Sequence, residues 1–131
     1  MTPDGFVSRL SNFGPKETMG RFAKIVTEHG MTVFARVDHA AGAAAVDLQL
    51  RPTEVVIFGN AKAGTPLMQA AQTFGIDLPL KALVWQDEEG KTYLAYNDPK
   101  WLAERHGVER ETAQTLDAMS LALAAAVGAA S

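Results

Sequence analysis

The chain has 131 residues, of which 47% are hydrophobic and 21% charged, with no cysteine and a formal charge of −3. That length suits one compact domain able to bury a core without staples. The missing cysteines exclude disulfides, thiolate nucleophiles, iron–sulfur clusters and cysteine-bound zinc, and the acidic balance argues against a nucleic-acid module, which needs a basic footprint.

The opening segment MTPDGFVSRLSNFG has no basic run leading into an apolar stretch, so it does not read as a signal peptide. No stretch approaches the ~20 apolar residues of a membrane helix. Residues 119–130 are the most apolar, but they are alanine-dominated and interrupted by Ser120 and Gly128. A cytoplasmic domain without a membrane or nucleic-acid partner is expected.

Residues 6–10 predict a first strand, ahead of the breaker pair Gly14-Pro15. Pro15 at a first helical position, with Glu17 in the first turn, starts a helix where a missing N–H costs nothing. Met19, Phe22, Ala23 and Val26 give that helix one apolar stripe, and Gly30 after His29 ends it. Residues 31–37 predict a second strand, and the alanine-rich residues 39–46 a short helix. After Pro52, Val55-Val56-Ile57-Phe58 is a continuous β-branched and aromatic run, the pattern of a central strand buried on both faces. Gly59 ends that strand, and Thr65 as N-cap with Pro66 in the first turn predicts the next helix, with Gly75 as its stop.

Residues 82–86 and 92–96 flank Asp87-Glu88-Glu89-Gly90-Lys91, the strongest hairpin signal in the chain. Asp98-Pro99 starts a helix that ends at His106-Gly107. Thr112, Leu116, Met119, Leu123 and Val127 then recur at spacings of three or four. They predict a last amphipathic helix, about residues 109–127, whose stripe packs either in cis or at a dimer interface. The order of elements predicts a single α+β domain over residues 1–131, a two-layer sandwich in which a mixed, partly antiparallel sheet packs against helices.

The segment Phe58-Gly59-Asn60-Ala61-Lys62-Ala63-Gly64-Thr65-Pro66 carries the main chemical signal. A strand, a loop with two glycines and a lysine, and a helix N-terminus can hold a phosphate or carboxylate on backbone amides. Gly59, Asn60, Lys62, Gly64 and Thr65 are therefore candidate ligand-binding residues, Lys62 adding charge and Thr65 a hydroxyl. The spacing is not a P-loop, since Thr65 follows Gly64 where lysine is required. The plain alternative is a tight turn and a helix cap.

Asp38-His39 can poise a general base near neutral pH, or Asp38 can simply cap the alanine-rich helix. His29 and His106 precede glycines at helix ends, where an imidazolium complements the dipole. The three histidines show no metal-ligand spacing, so neither metal nor cofactor is expected. Tyr96-Asn97-Asp98-Pro99 offers a hydroxyl, an amide and a carboxylate at a strand end, making Asn97 a binding candidate and Asp98 a catalytic one. Trp85, Tyr93, Tyr96 and Trp101 gather around the hairpin, as core or as a pocket wall.

The run Arg51-Pro52-Thr53, Val56-Ile57-Phe58-Gly59-Asn60 and Lys62-Ala63-Gly64-Thr65-Pro66-Leu67-Met68 resembles the domain of unknown function 302 family. So do Asp77-Leu78-Pro79-Leu80-Lys81, Trp85, Tyr96-Asn97-Asp98-Pro99 and, upstream, Thr32-Val33-Phe34-Ala35 with Asp38-His39-Ala40. Ala61 departs from the pattern, standing where proline is expected. The resemblance implies a small α+β domain, cytoplasmic when it stands alone and a homodimer, with no established activity. Family members also occur attached to other modules, which suits ligand binding or sensing, and the family supplies no catalytic residues.

Three functions follow as expectations. The first is a domain that binds a small anionic or amphipathic ligand on the loop from Gly59 to Thr65. The second is an acid–base enzyme with His39 as base, oriented by Asp38 or Asp98. The third is a structural module that dimerises through its last helix.

Overall fold

The computed structural model describes residues 2–131. Its strands are β1 (Phe6–Ser11), β2 (Thr32–Asp38), β3 (Thr53–Gly59), β4 (Leu80–Gln86) and β5 (Thr92–Asn97). Its helices are α1 (Pro15–Glu28), α2 (His39–Ala45), α3 (Ala61–Ala70), α4 (Pro99–Arg105) and α5 (Ala113–Ala130), with a 3-10 segment over Gln72–Asp77.

The five strands form one sheet in the order β1-β5-β4-β3-β2, and all four pairings are antiparallel. The α+β sandwich is as the sequence predicts, but the parallel pairs that a mixed sheet would contain are absent among the described residues. Connection geometry explains this. Parallel neighbours need a crossover of a dozen or more residues that returns the chain to its starting end. Between β2 and β3 only the seven-residue α2 is helical, about 10 Å long against roughly 23 Å for a seven-residue strand, so the chain does not return to its starting end and β2 and β3 pair as a long hairpin. Only α1 makes a true crossing, carrying the chain from edge strand β1 to the opposite edge, β2.

The core lies between one sheet face and the helices. Met19, Phe22 and Val26 of α1 are fully buried against Val56 and Phe58 of β3, Ala82 and Val84 of β4, and Leu94 of β5. Phe22 meets Phe58 edge-on at a centroid distance of 5.2 Å. Helix α5 lies beside α1 and buries Leu116, Leu123, Ala126, Val127 and Ala130. Its C-terminus is fastened by a 2.6 Å hydrogen bond from the Asn12 amide to the Ser131 carbonyl. At 18 residues and a mean hydropathy of 1.3, α5 meets the length and composition of a short membrane span, contrary to the expectation that no stretch comes near one. Within this domain it serves as a core helix on one side, while Leu121 on the other is 73% exposed.

Most elements appear where the sequence predicts them. The hairpin closes with the Asp87 amide donating to the Lys91 carbonyl at 2.9 Å, with Gly90 at φ +77°. Its Asp87 carboxylate accepts from the Glu89 and Lys91 amides. Helix α3 is the exception. It begins at Ala61, not after Thr65, because Asn60 is the N-cap: its side-chain oxygen accepts from the Ala63 amide at 2.7 Å. Pro66 therefore sits inside the helix.

Candidate functional site

Between α3, α5 and the start of β2 lies a cavity of about 490 Å³, in the size range of small-molecule sites. Four pieces of backbone build it. Met31 comes from just before β2 and Phe34 from within it, where the register slips between Val33 and Ala35, leaving Phe34 as the extra residue of a β-bulge. A bulge re-aims a side chain, and here Phe34 lines the cavity mouth, 57% exposed. Gly59, Asn60 and the first turns of α3 form a second wall, Leu78 to Leu80 a third, and Ala118, Met119, Ala122 and Leu123 of α5 a fourth.

The lining is apolar, with three methionines (Met31, Met68 and Met119) giving it adaptable walls. Its polar groups are few: His29, Asn60 and Thr65. No carboxylate, ammonium or guanidinium lines it among the described residues. The His29 ring is tied back through Nδ1 to the Ile25 carbonyl at 2.7 Å.

The polar end is the N-terminus of α3. The Ala63 amide is taken by the Asn60 side chain and the Gly64 amide by the Asn60 carbonyl at 3.0 Å. The two earlier amides, of Ala61 and Lys62, have no partner within the helix, as the geometry of any helix start requires. The expected glycine loop is thus a capped helical turn. Gly59, Asn60, Gly64 and Thr65 meet at the cavity, whereas exposed Lys62 is not part of its lining. A Cβ on Gly64 would make only ordinary contact, 3.6 Å from Leu78 Cδ1, so the wall does not require a glycine there.

The other candidates lie elsewhere. Asp38 caps α2, accepting from the Ala41 amide at 2.9 Å, and His39 is exposed beside it, outside the cavity. Asp98 caps α4 through the Lys100 amide at 3.0 Å. Asn97 lines a separate hollow of about 20 Å³ with Asp77 and Lys81, room for about one water. Acid–base chemistry by His39 therefore lacks the concave setting it requires. The guanidinium of Arg36 is held protonated by Glu54, which accepts from it at 2.9 and 3.1 Å. Asp117 does the same for the Lys100 ammonium. Burial, and then Asp98, push the Tyr96 phenol up. None of these three groups lines the cavity.

One cluster escaped the sequence reading. His106 Nε2 lies 2.6 Å from an Asp77 carboxylate oxygen and its Nδ1 lies 3.1 Å from the Thr73 hydroxyl. Hydroxyl, imidazole and carboxylate stand in a row, as in a nucleophilic triad. The ring, however, is stacked on Phe74 at 4.9 Å and the adjoining hollow holds no substrate-sized space, so the cluster ties the 3-10 segment to α4. Asp77 and His106 are 29 residues apart, and no spacing rule connects them.

Comparison with known proteins agrees with the architecture. Residues 7–126 match the family described as domain of unknown function DUF302. The crystal structure of an uncharacterized conserved DUF302 protein from Bacillus stearothermophilus superposes with a TM-score of 0.87 at 17% identity, over 98% of this chain and 100% of that one. The chain is 47% identical over 115 residues to a Brucella suis protein named fluoride-specific ion channel FluC 1, covering 88% of this chain but 45% of that relative. A Brucella abortus FluC 1 and a Brucella melitensis FluC 2 match at the same identity over 43% of their length. The chain therefore spans less than half the length of the curated relatives it matches. It belongs to the DUF302 family.

Proposed function

We propose that this DUF302 domain binds a small amphipathic molecule, with the apolar body in the cavity and a polar or anionic head at the first turn of α3. The observation that carries this reading is the lining: an apolar cleft of about 490 Å³ whose few polar groups include Asn60 and Thr65 at the start of α3. The unpaired amides of Ala61 and Lys62 carry the partial positive charge of a helix start, which favours an anionic head. A purely anionic ligand such as phosphate gains little here, since no cation faces the cavity. The curated relatives carry this domain within a longer chain named as an ion channel, and a ligand-sensing module attached to a channel fits that arrangement.

Thermal unfolding tests the reading, with decanoate, decanol, acetate and inorganic phosphate as probes. Decanoate is expected to raise the midpoint, decanol to raise it less, and acetate and phosphate to leave it unchanged. Ala122→Trp, placed at an exposed position of the α5 wall, fills the cleft and should abolish the response. Lys62→Ala should retain most of it. Equal response in wild type and Ala122→Trp, or no response to either amphiphile, overturns the proposal.

A further inference from the structure

Given the amphiphile site proposed above, on which this step rests, we infer that His29 holds the head group and that the cavity takes a carboxylic acid together with one proton. His29 is the one titratable side chain lining the cavity among the described residues. Strand pairing sets it beside α3. In the antiparallel β2–β3 pair Thr32 stands opposite Gly59, so the residues just before β2 and just after β3 leave the sheet at the same end. Neighbouring strands run about 4.8 Å apart. The turn that carries His29 and Met31 therefore adjoins the one that carries Asn60 and Ala61, and all four residues line the cavity.

The fold also fixes the ring. His29 is the C-cap of α1, and its Nδ1 lies 2.7 Å from the Ile25 carbonyl. A carbonyl only accepts, so Nδ1 carries hydrogen and Nε2 is left for a ligand. No group of the described residues hydrogen-bonds to Nε2. Unprotonated, Nε2 offers a lone pair that an alcohol can use and a carboxylate cannot. Protonated, it donates a charge-assisted bond to the carboxylate. A carboxylate therefore binds with uptake of a solvent proton onto Nε2, in the pH range where imidazoles ordinarily change charge, and an alcohol binds without one. Other charges around the cavity are engaged elsewhere. Along α1, Arg21 pairs with Glu17 and Lys24 with Glu28. On β2, Arg36 pairs with Glu54, and Asp38 caps α2. Asp117 of α5 pairs with Lys100, and Asp77, beside the third wall, with Arg105 and His106. Lys62 and Lys81 are exposed outside the lining, so Lys62 is the cation to be separated from His29.

Calorimetric titration of the full chain with decanoate and decanol, at about pH 6 and about pH 8, provides the test. The decanoate carboxyl stays ionised across that range, since carboxyls ordinarily titrate near ~4.3. Wild type should bind decanoate about fivefold more tightly at the lower pH, and decanol no more tightly. Buffers of different ionisation heat should show a proton uptake with decanoate that decanol lacks. His29→Gln should bind decanol within about twofold of wild type and lose the pH dependence for decanoate. His29→Lys should bind decanoate tightly at both pH values, and Lys62→Ala should behave as wild type. If both amphiphiles bind but decanoate shows no pH dependence, keeps it in His29→Gln, or loses it in Lys62→Ala, the role of His29 is overturned while the cavity still binds amphiphiles. If neither binds, the amphiphile site falls and the role of His29 with it.

Discussion

The imidazole of His106 at the end of α4 donates from Nε2 to Asp77 at 2.6 Å, joining two segments that sequence distance keeps apart. The same carboxylate receives Arg105 Nη1 at 2.9 Å on both oxygens, and Nδ1 lies within hydrogen-bond distance of the Thr73 hydroxyl at 3.1 Å. The side chain of His106 is 8% exposed and that of Asp77 16%, so the contact is largely shielded from water, whereas the Arg105 pair lies more in solvent.

Removing one partner of a shielded charge-assisted hydrogen bond strands the other. His106→Ala is therefore expected to cost about 2–3 kcal/mol, including the lost stacking on Phe74. Arg105→Ala, whose side chain is 53% exposed, should cost less than ~1 kcal/mol. Urea unfolding of the two variants checks the ranking, and equal midpoints would contradict it.

The cap of α3 makes a second prediction. Asn60→Ala should destabilise by ~1 kcal/mol and Asn60→Asp by much less, because aspartate accepts from the Ala63 amide equally well. If Thr65 were the true cap, Thr65→Ala would carry the loss instead; thermal unfolding of the three variants separates the cases.

Gly5 tolerates no side chain. It sits at φ +74°, and a Cβ there would fall 2.4 Å from Trp101 Cδ2. Gly5→Ala combines a left-handed backbone with a clash against a ring packed on the core, so a loss of at least ~2 kcal/mol is expected. Gly90→Ala, also at positive φ but with open space around it, should cost only ~1 kcal/mol. Comparing their unfolding midpoints tests the role of Trp101.

Tyr96 ties stability to alkaline pH. Its phenol is raised above the ordinary value of 10.0 by burial and by Asp98. Between the unfolded and folded values the native state holds a proton that the unfolded chain has lost. Stability therefore falls as pH rises above about 10. Tyr96→Phe should remove that part of the decline, seen as a smaller drop in urea midpoint between about pH 8 and pH 11.

The helices and strands were legible because their signals are local. Pro15, Gly30, Asp98 and the Asp87–Lys91 turn each act within a few residues. The misplaced start of α3 shows the limit of such signals. Asn60 and Thr65 are both good caps, and the end of β3 at Gly59 puts Asn60 first in line. For the site, the glycine segment pointed to the right wall. Its apolar character was not visible, because Met31, Phe34, Met68 and Met119 come from elements far apart in the chain.

By itself, then, the amino-acid order determined the element list, the α+β class and the family likeness, since propensity, capping and periodicity are read within one or two turns of chain. Tertiary structure alone decided which of those elements share a cavity, that every strand pairs antiparallel, and that the Val55–Phe58 run buries only one of its apolar faces in the core. Those outcomes depend on how the connections let strands and helices close on one another, a long-range constraint that no short window of sequence contains.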